Sequence, residues 1–318
     1  MKKLLTVFLG LIVFAVSSFS QTGFNSVHSK DGSYVVAVGD ASTVFISYNG
    51  GASFGSYPLG GSVNLNSVYT INMKVWAVGD AGAVRVSTNG GASFTDYGIG
   101  GADLNGVFFV DELTGYAVGN GGRIVKSING GNSWTPQTSG TANDLTGVKF
   151  TSASNGFVSG ANGTVLYTVN GGSTWTAHST GSSKNLTAID ASGTTIIATA
   201  VDGVILKYNG STWSTIDYKS VSKSDVRSVS MLDANTFYTC GGGGFVNKST
   251  DGGATRTYQM NPMQGYLSDI FFFNSSWGWA VANNTKAILY TSNGGTTWQF
   301  QSGVTVSKSY VRKVNTSG

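Results

Sequence analysis

One short phrase recurs at near-constant spacing along this 318-residue chain, and that recurrence limits the possible folds more than any other feature. The copies read "VSTNGGASF", "KSINGGNSW", "YTVNGGSTW" and "YTSNGGTTW", with three looser versions. Their Asn or Asp stands at Asn49, Asn89, Asn129, Asn170, Asn209, Asp251 and Asn293, so successive copies lie 40, 40, 41, 39, 42 and 42 residues apart. A period near 40 marks a stack of supersecondary units, each too small to bury its own apolar surface.

The repeat extends beyond the phrase. Each unit opens on an apolar-x-x-Val/Ile segment such as "LNGV" at Leu104, "LTGV" at Leu145 or "VRSV" at Val226. A second apolar run such as "GYAVG" follows, then a Gly/Asn/Asp turn, a third run such as "RIVKS", the phrase itself, and a short fourth segment such as "SWTPQ". Four short segments bounded by turn residues predict four β-strands per unit. In the third strand two adjacent residues are apolar, as with Val44 and Phe45 or Ile124 and Val125. Neighbouring strand residues point to opposite faces, so each small sheet must be covered on both sides. Seven such sheets stacked around an axis meet that demand and leave only short edges. The fold class is therefore all-β: a single seven-bladed β-propeller of four-stranded antiparallel blades, spanning residues 21–303.

The Asn-Gly pair suits a turn with positive φ at both central positions, joining the third strand to the fourth. The Ser or Thr on either side can bond the loop backbone. The closing aromatic, Trp134, Trp175, Trp213 or Trp298, is expected to pack inward at the blade edge. The phrase resembles the Asp-box, the bacterial neuraminidase repeat Ser-x-Asp-x-Gly-x-Thr-Trp, with Asn in place of Asp in six of the seven copies. The longer unit "YAVGNGGRIVKSINGGNSW" resembles the photosystem II assembly and stability factor family, whose blades carry a Val-Gly-x-x-Gly-x-Ile turn before the box. The resemblance implies that the boxes serve the fold and lie away from any active centre, and that the chain acts through protein contacts. Two copies depart from the pattern: blade 5 lacks one glycine, and blade 6 has Arg256 in place of the aromatic. Arg85 likewise occupies a third-strand position that is otherwise mostly apolar.

Residues 1–20 carry Lys2 and Lys3, an apolar run from Leu4 to Val16 and then small residues, the layout of a cleaved signal peptide. The run is shorter than the roughly 20 apolar residues of a membrane span. The expected location is secreted or periplasmic, with no membrane span in the mature chain. Without Lys2 and Lys3, 17 Lys and Arg face 15 Asp and Glu, a net charge of +2. That is too little to draw nucleic acid. The lone Cys240 permits no internal disulfide, and with His28 and His178 in different blades no metal site is expected. No cofactor is implied, and a monomer is expected. Residues 304–318 form a tail whose "SYVRKV" resembles the first strand of blade 6; it either closes or flanks the ring at the Phe24 strand, or begins a further unit.

Strand alternation places the turns between strands one and two on one face with the boxes. The opposite face carries the turns between strands two and three and the links between blades. Ligand sites in propellers usually use that link face, near the axis. Its most charged link, "DYKSVSKSDVR", and its most aromatic, "TYQMNPMQGY", both flank blade 6. They nominate Asp217, Tyr218, Lys219, Lys223, Arg227, Tyr258, Met263 and Tyr266 as a contact patch, since Tyr, Met and Arg are enriched at interfaces. A protein partner is expected, a glycan being the other candidate.

An enzyme is the competing class. Sialidase chemistry needs clustered arginines and a Tyr-Glu pair, whereas the five arginines are scattered and the sole glutamate, Glu112, falls on the box face. Another glycoside hydrolase would need two carboxylates about 5 to 9.5 Å apart. Asp40, Asp80, Asp103, Asp144, Asp202 and Asp225 are the candidates for that pair. The reading favoured is an exported non-enzymatic binding or scaffold propeller.

Overall fold

Each second strand is apolar at nearly every position, and a strand buried on both faces needs a sheet packed against either side. The structure, a computed structural model describing residues 23–57, 59–216, 224–283 and 287–301, meets that need with a ring. Seven sheets each contain four sequence-consecutive antiparallel strands. In blade 1 these are β1 (Phe24–Ser29), β2 (Val35–Gly39), β3 (Val44–Ser47) and β4 (Gly55–Ser56). The inner strands of the other blades are Leu65–Ile71, Leu104–Phe109, Leu145–Phe150, Leu186–Ser192, Val226–Met231 and Leu267–Phe272. The second strands are almost wholly buried, and "VVAVG", "GYAVG" and "GWAVA" are buried at every position. The hydrophobic clusters lie between blades: Trp76 and Val86 of blade 2, for example, pack with Leu104, Phe109 and Trp134 of blade 3.

An inner strand is a sheet edge, and its outward N–H groups need partners. Side chains of the preceding blade supply them. Ser26 Oγ accepts from Val68 N at 3.3 Å, Ser67 Oγ from Val107 N at 3.2 Å, and Ser230 Oγ from Phe272 N at 2.9 Å. The ring closes in the same way, because Asp269 Oδ2 of blade 7 accepts from Val27 N at 2.9 Å. Among the described residues, blade 1 takes all four of its strands from residues 24–56. The expected signal segment, residues 1–20, and the tail Ser309 to Val314 lie outside the described residues.

The box works as expected in outline and differently in detail. Positive φ falls on the two glycines, Gly50 (69°) and Gly51 (86°), and not on the Asn-Gly pair. Asn49 acts as an acceptor instead: its Oδ1 receives Ser47 Oγ at 2.8 Å and Ser53 N at 3.0 Å, while its Nδ2 donates to Ser53 Oγ. The same network recurs around Asn89, Asn129, Asn170 and Asn293. In blade 6 Asp251 has no donor, so the last bond reverses and the Thr255 hydroxyl donates to the carboxylate. Those bonds hold the Asp251 carboxyl down at about 2. In blade 5 Asn209 makes a tighter turn, accepting from Ser211 N and Thr212 N.

Trp298 is buried, whereas Trp134, Trp175 and Trp213 are half-buried. Trp134, Trp175 and Trp298 meet Phe109, Phe150 and Phe272 edge-on at centroid distances of 5.8 to 6.0 Å. Trp213 instead donates to His178 Nδ1 and packs beside Tyr208. The box also has a second role that no single copy of it signals. Its first glycine carbonyl accepts from a second-strand aromatic of the preceding blade: Trp76 to Gly130 and Tyr116 to Gly171, each at 2.8 Å, Tyr238 to Gly294 at 3.2 Å, and Trp279 to Gly50 at 3.3 Å. Arg85 has a structural partner too, pairing with Asp96 across the strands at 2.5 Å.

Candidate functional site

A register irregularity interrupts every inner strand just after its first residue. Such a bulge re-aims the neighbouring side chain. Here it brings the second residue of each inner strand to the link-face mouth of the axial channel. In six blades that residue is a short polar one, and it staples its blade to the next. Asn25 donates to Leu65 O at 3.0 Å, Asn66 to Leu104 O at 3.1 Å, Asn105 to Leu145 O at 2.8 Å, and Thr146 to Leu186 O at 3.0 Å. Thr187 donates to Val226 O at 2.5 Å and Ser268 to Phe24 O at 2.6 Å.

Blade 6 breaks this series with Arg227. Its guanidinium turns to Asp225, at 2.9 Å, and lies over the Tyr266 ring at 5.6 Å. The Leu267 carbonyl, which a staple would engage, has the buried Cys240 thiol at 3.9 Å. At this junction a cavity of about 650 Å³ opens, lined by Arg227, Tyr266, Leu267, Ser268, Thr187 and Asn283 among others. That volume falls in the range of small-ligand and side-chain pockets, about 300 to 1,000 Å³. Arg227 remains 42 % exposed and Tyr266 46 %.

Of the nominated contact residues, Arg227 and Tyr266 meet in this cavity. Tyr258 is an exposed residue of the outer strand of blade 6 and does not line it. Met263 requires correction: it is fully buried with Tyr238, Leu267 and Trp298 between blades 6 and 7, and so is core. A methionine in an aromatic-rich link reads as surface, but its flexible thioether also fills gaps well. Asp217, Tyr218, Lys219 and Lys223 lie outside the described residues.

The link-face aspartates are engaged by the fold. Asp40 accepts from Gly23 N and Asn25, and Asp80 from Asn64 and Asn66. Asp103, Asp144 and Asp225 cap the preceding blade's turn through Ala81 N, Gly121 N and Asp202 N. Asp202 pairs with Lys184. Among the described residues no three His, Cys, Asp or Glu side chains converge on a cation-sized site, and no helix is long and apolar enough to cross a membrane.

Deeper in the channel, the fifth inner-strand residues form a belt that single-strand reasoning missed. His28 lies 4.2 Å from Tyr69 and 4.7 Å from Phe271, and Tyr69 lies 4.7 Å from Phe108. Lys149 pairs with Asp190 at 2.7 Å. His28 Nδ1 accepts from Thr70 N at 3.1 Å, and burial, then Lys149 and Lys30, push its pKa down to about 3. Burial raises the Asp269 carboxyl. The signal was present as a column of seven residues, one per repeat, but only a closed ring makes them neighbours.

The box face carries its own exposed apolar side chains, among them Tyr48, Met73, Ile128, Val169 and Trp277.

The sequence profile described as "Photosynthesis system II assembly factor YCF48" matches residues 127–236. No curated protein matches the chain significantly by sequence. Among solved structures, YCF48 from Cyanidioschyzon merolae superposes with a TM-score of 0.69 at 19% identity, covering 86% of this chain and 96% of its own. A structure of "YCF48 bound to D1 peptide" gives 0.71 at 16% identity, covering 86% and 92%. The Niastella koreensis GH74 enzyme gives 0.66 at 18% identity, and this chain spans only 54% of that enzyme's length. At these identities the likeness shows the fold. Box, blade and profile together make the chain an Asp-box repeat β-propeller resembling the photosystem II assembly factors.

Proposed function

We propose that this chain is an exported, non-enzymatic binding protein whose link-face mouth docks a segment of a partner protein. The observation that carries the reading is the broken staple. Where six blades spend the mouth position on holding the ring together, blade 6 places an arginine there, backed by an exposed tyrosine and opening on a cavity. Arginine and tyrosine at the edge of a pocket are the residue types that dominate binding energy at protein interfaces. The D1 peptide bound in one superposing structure is the ligand of that protein, and it supports a propeller of this shape taking a polypeptide ligand. Export rests on the layout of residues 1–20.

Charge reversal at Lys219, Lys223 and Arg227 together tests the surface. Crosslinked partner yield from an envelope extract should fall about tenfold, the loss expected when one to two kcal/mol of interface energy disappears. Unchanged yield would refute the link face as the contact surface. Loss on Met73→Asp and Trp277→Asp instead would move the surface to the box face. Hydrolysis of a β-glucan or sialoside panel that disappears on mutating one link-face aspartate would overturn the non-enzymatic reading.

A further inference from the structure

The cavity at the junction of blades 6 and 7 offers two complementary groups, not one. Arg227 presents a planar cation, and Leu267 presents a carbonyl that has only the Cys240 thiol at 3.9 Å, where its counterparts in six other blades each receive an amide or hydroxyl donor. Asp225 engages one Nη of the guanidinium and Tyr266 covers a face of it, so its plane is set before any ligand arrives. A guanidinium held in this way favours the two-oxygen geometry of a carboxylate. A bare inorganic anion would satisfy Arg227 and leave Leu267 O with only the weak Cys240 thiol donor, 3.9 Å away. A peptide residue bearing a carboxylate close to its own N–H would satisfy both.

On the reading of the link face as the binding surface, we infer that this cavity is a carboxylate-recognition pocket for a peptide. Arg227 takes the carboxylate, and Leu267 O takes the N–H of the same residue. The carboxylate belongs either to a chain terminus or to an aspartate side chain, and the probes below separate these sources. Net charge alone could not produce this selectivity, because Asp225 already pairs with Arg227 and, among the described residues, the link-face carboxylates Asp40, Asp80, Asp103 and Asp144 have only amide donors as partners. The selectivity comes from the fork of the guanidinium and from the unstapled carbonyl.

The test is NMR titration of the full mature chain, following the Arg227 Nε–H and Tyr266 ring signals. Four probes are used: N-acetylglycine for a terminus, N-acetylaspartate N-methylamide for a side chain, and N-acetylglycinamide and acetate as controls. One or both carboxylate-bearing peptide probes should give saturable shifts, with the tighter one identifying the source, and N-acetylglycinamide should give none. R227Q should weaken binding by about tenfold or more, and R227K by about threefold to tenfold because it keeps the charge but loses the fork. Equal shifts from N-acetylglycinamide, or shifts indifferent to R227Q, would overturn the inference. Acetate binding as tightly as N-acetylglycine would overturn the role of Leu267. If both peptide probes are inert while the triple charge reversal still abolishes partner capture, the carboxylate assignment fails and the docking surface stands.

Discussion

His28 ties the stability of the ring to pH in a way that can be worked through. Its ring lies between Tyr69 and Phe271, its Nδ1 accepts the Thr70 N–H, and Lys149 and Lys30 oppose a further positive charge. The folded pKa of about 3 lies below the 6.5 of an unfolded histidine. The unfolded chain therefore binds this proton first as pH falls. The stability His28 contributes is fully present above pH 6.5 and is lost progressively as pH drops toward 3. At about 1.4 kcal/mol per pK unit, lowering the pH from 7 to 5 should cost about 2 kcal/mol. That figure is an upper one, because the ring edge is partly open to the axial channel and solvent there weakens the penalty.

The assay is urea denaturation of wild type and His28→Phe at pH 7 and pH 5. The variant keeps a ring in the stack but leaves the Thr70 N–H unpaired, so it starts about 1–3 kcal/mol less stable at both pH values. Its loss between the two pH values should be smaller than wild type's by up to about 2 kcal/mol. Taking the difference between proteins removes other titrating groups, including Asp269, whose raised pKa acts in the opposite direction. Equal pH slopes in the two proteins, or an NMR titration of His28 near 6.5, would refute the argument.

Three further outcomes follow from the geometry. Gly131→Ala should destabilise by about 3 kcal/mol or more, since φ is 87° and the new Cβ would stand 2.9 Å from the Trp76 ring; Gly121→Ala, at φ 68° in open space, should cost only about 1 kcal/mol, and equal losses in thermal unfolding would contradict this. Asp269→Asn leaves one oxygen to serve Val27 N, Ser228 Oγ and Ile270 N, so the ring seam should lose about 1–3 kcal/mol by urea titration, and a neutral result would mean the seam does not depend on this carboxylate. The Asp251 carboxyl should titrate near 2 by NMR, and its contribution to folding should be present above about 3.9 and lost as pH falls to 2; titration near 4 would show that the Thr255 bonds are not formed in solution.

Much of this architecture is readable from the chain because it is written seven times. The spacing of the Asn and Asp residues from 49 to 293, the paired apolar residues of the third strands and the double glycine of the boxes are local signals, and local backbone chemistry interprets them. Composition alone nominates Arg227 and Tyr266, and the structure brings them together. Met263 comes from the same reasoning and is core, because composition cannot say which way a link residue turns.

The sequence by itself determined the number of blades, the strands in each and the face on which the boxes lie. Tertiary structure alone decided what each column of equivalent residues does. A staple, an N–H cap or the His28 belt joins positions about 40 residues apart, a Trp-to-glycine bond positions 54 apart, and such contacts also join blade 7 to blade 1 across the ring seam. No local pattern encodes such contacts, since they exist only once closure brings successive repeats into register. That is also why the break at Arg227 acquires meaning only in the closed ring, where the six staples around it show what that position otherwise does.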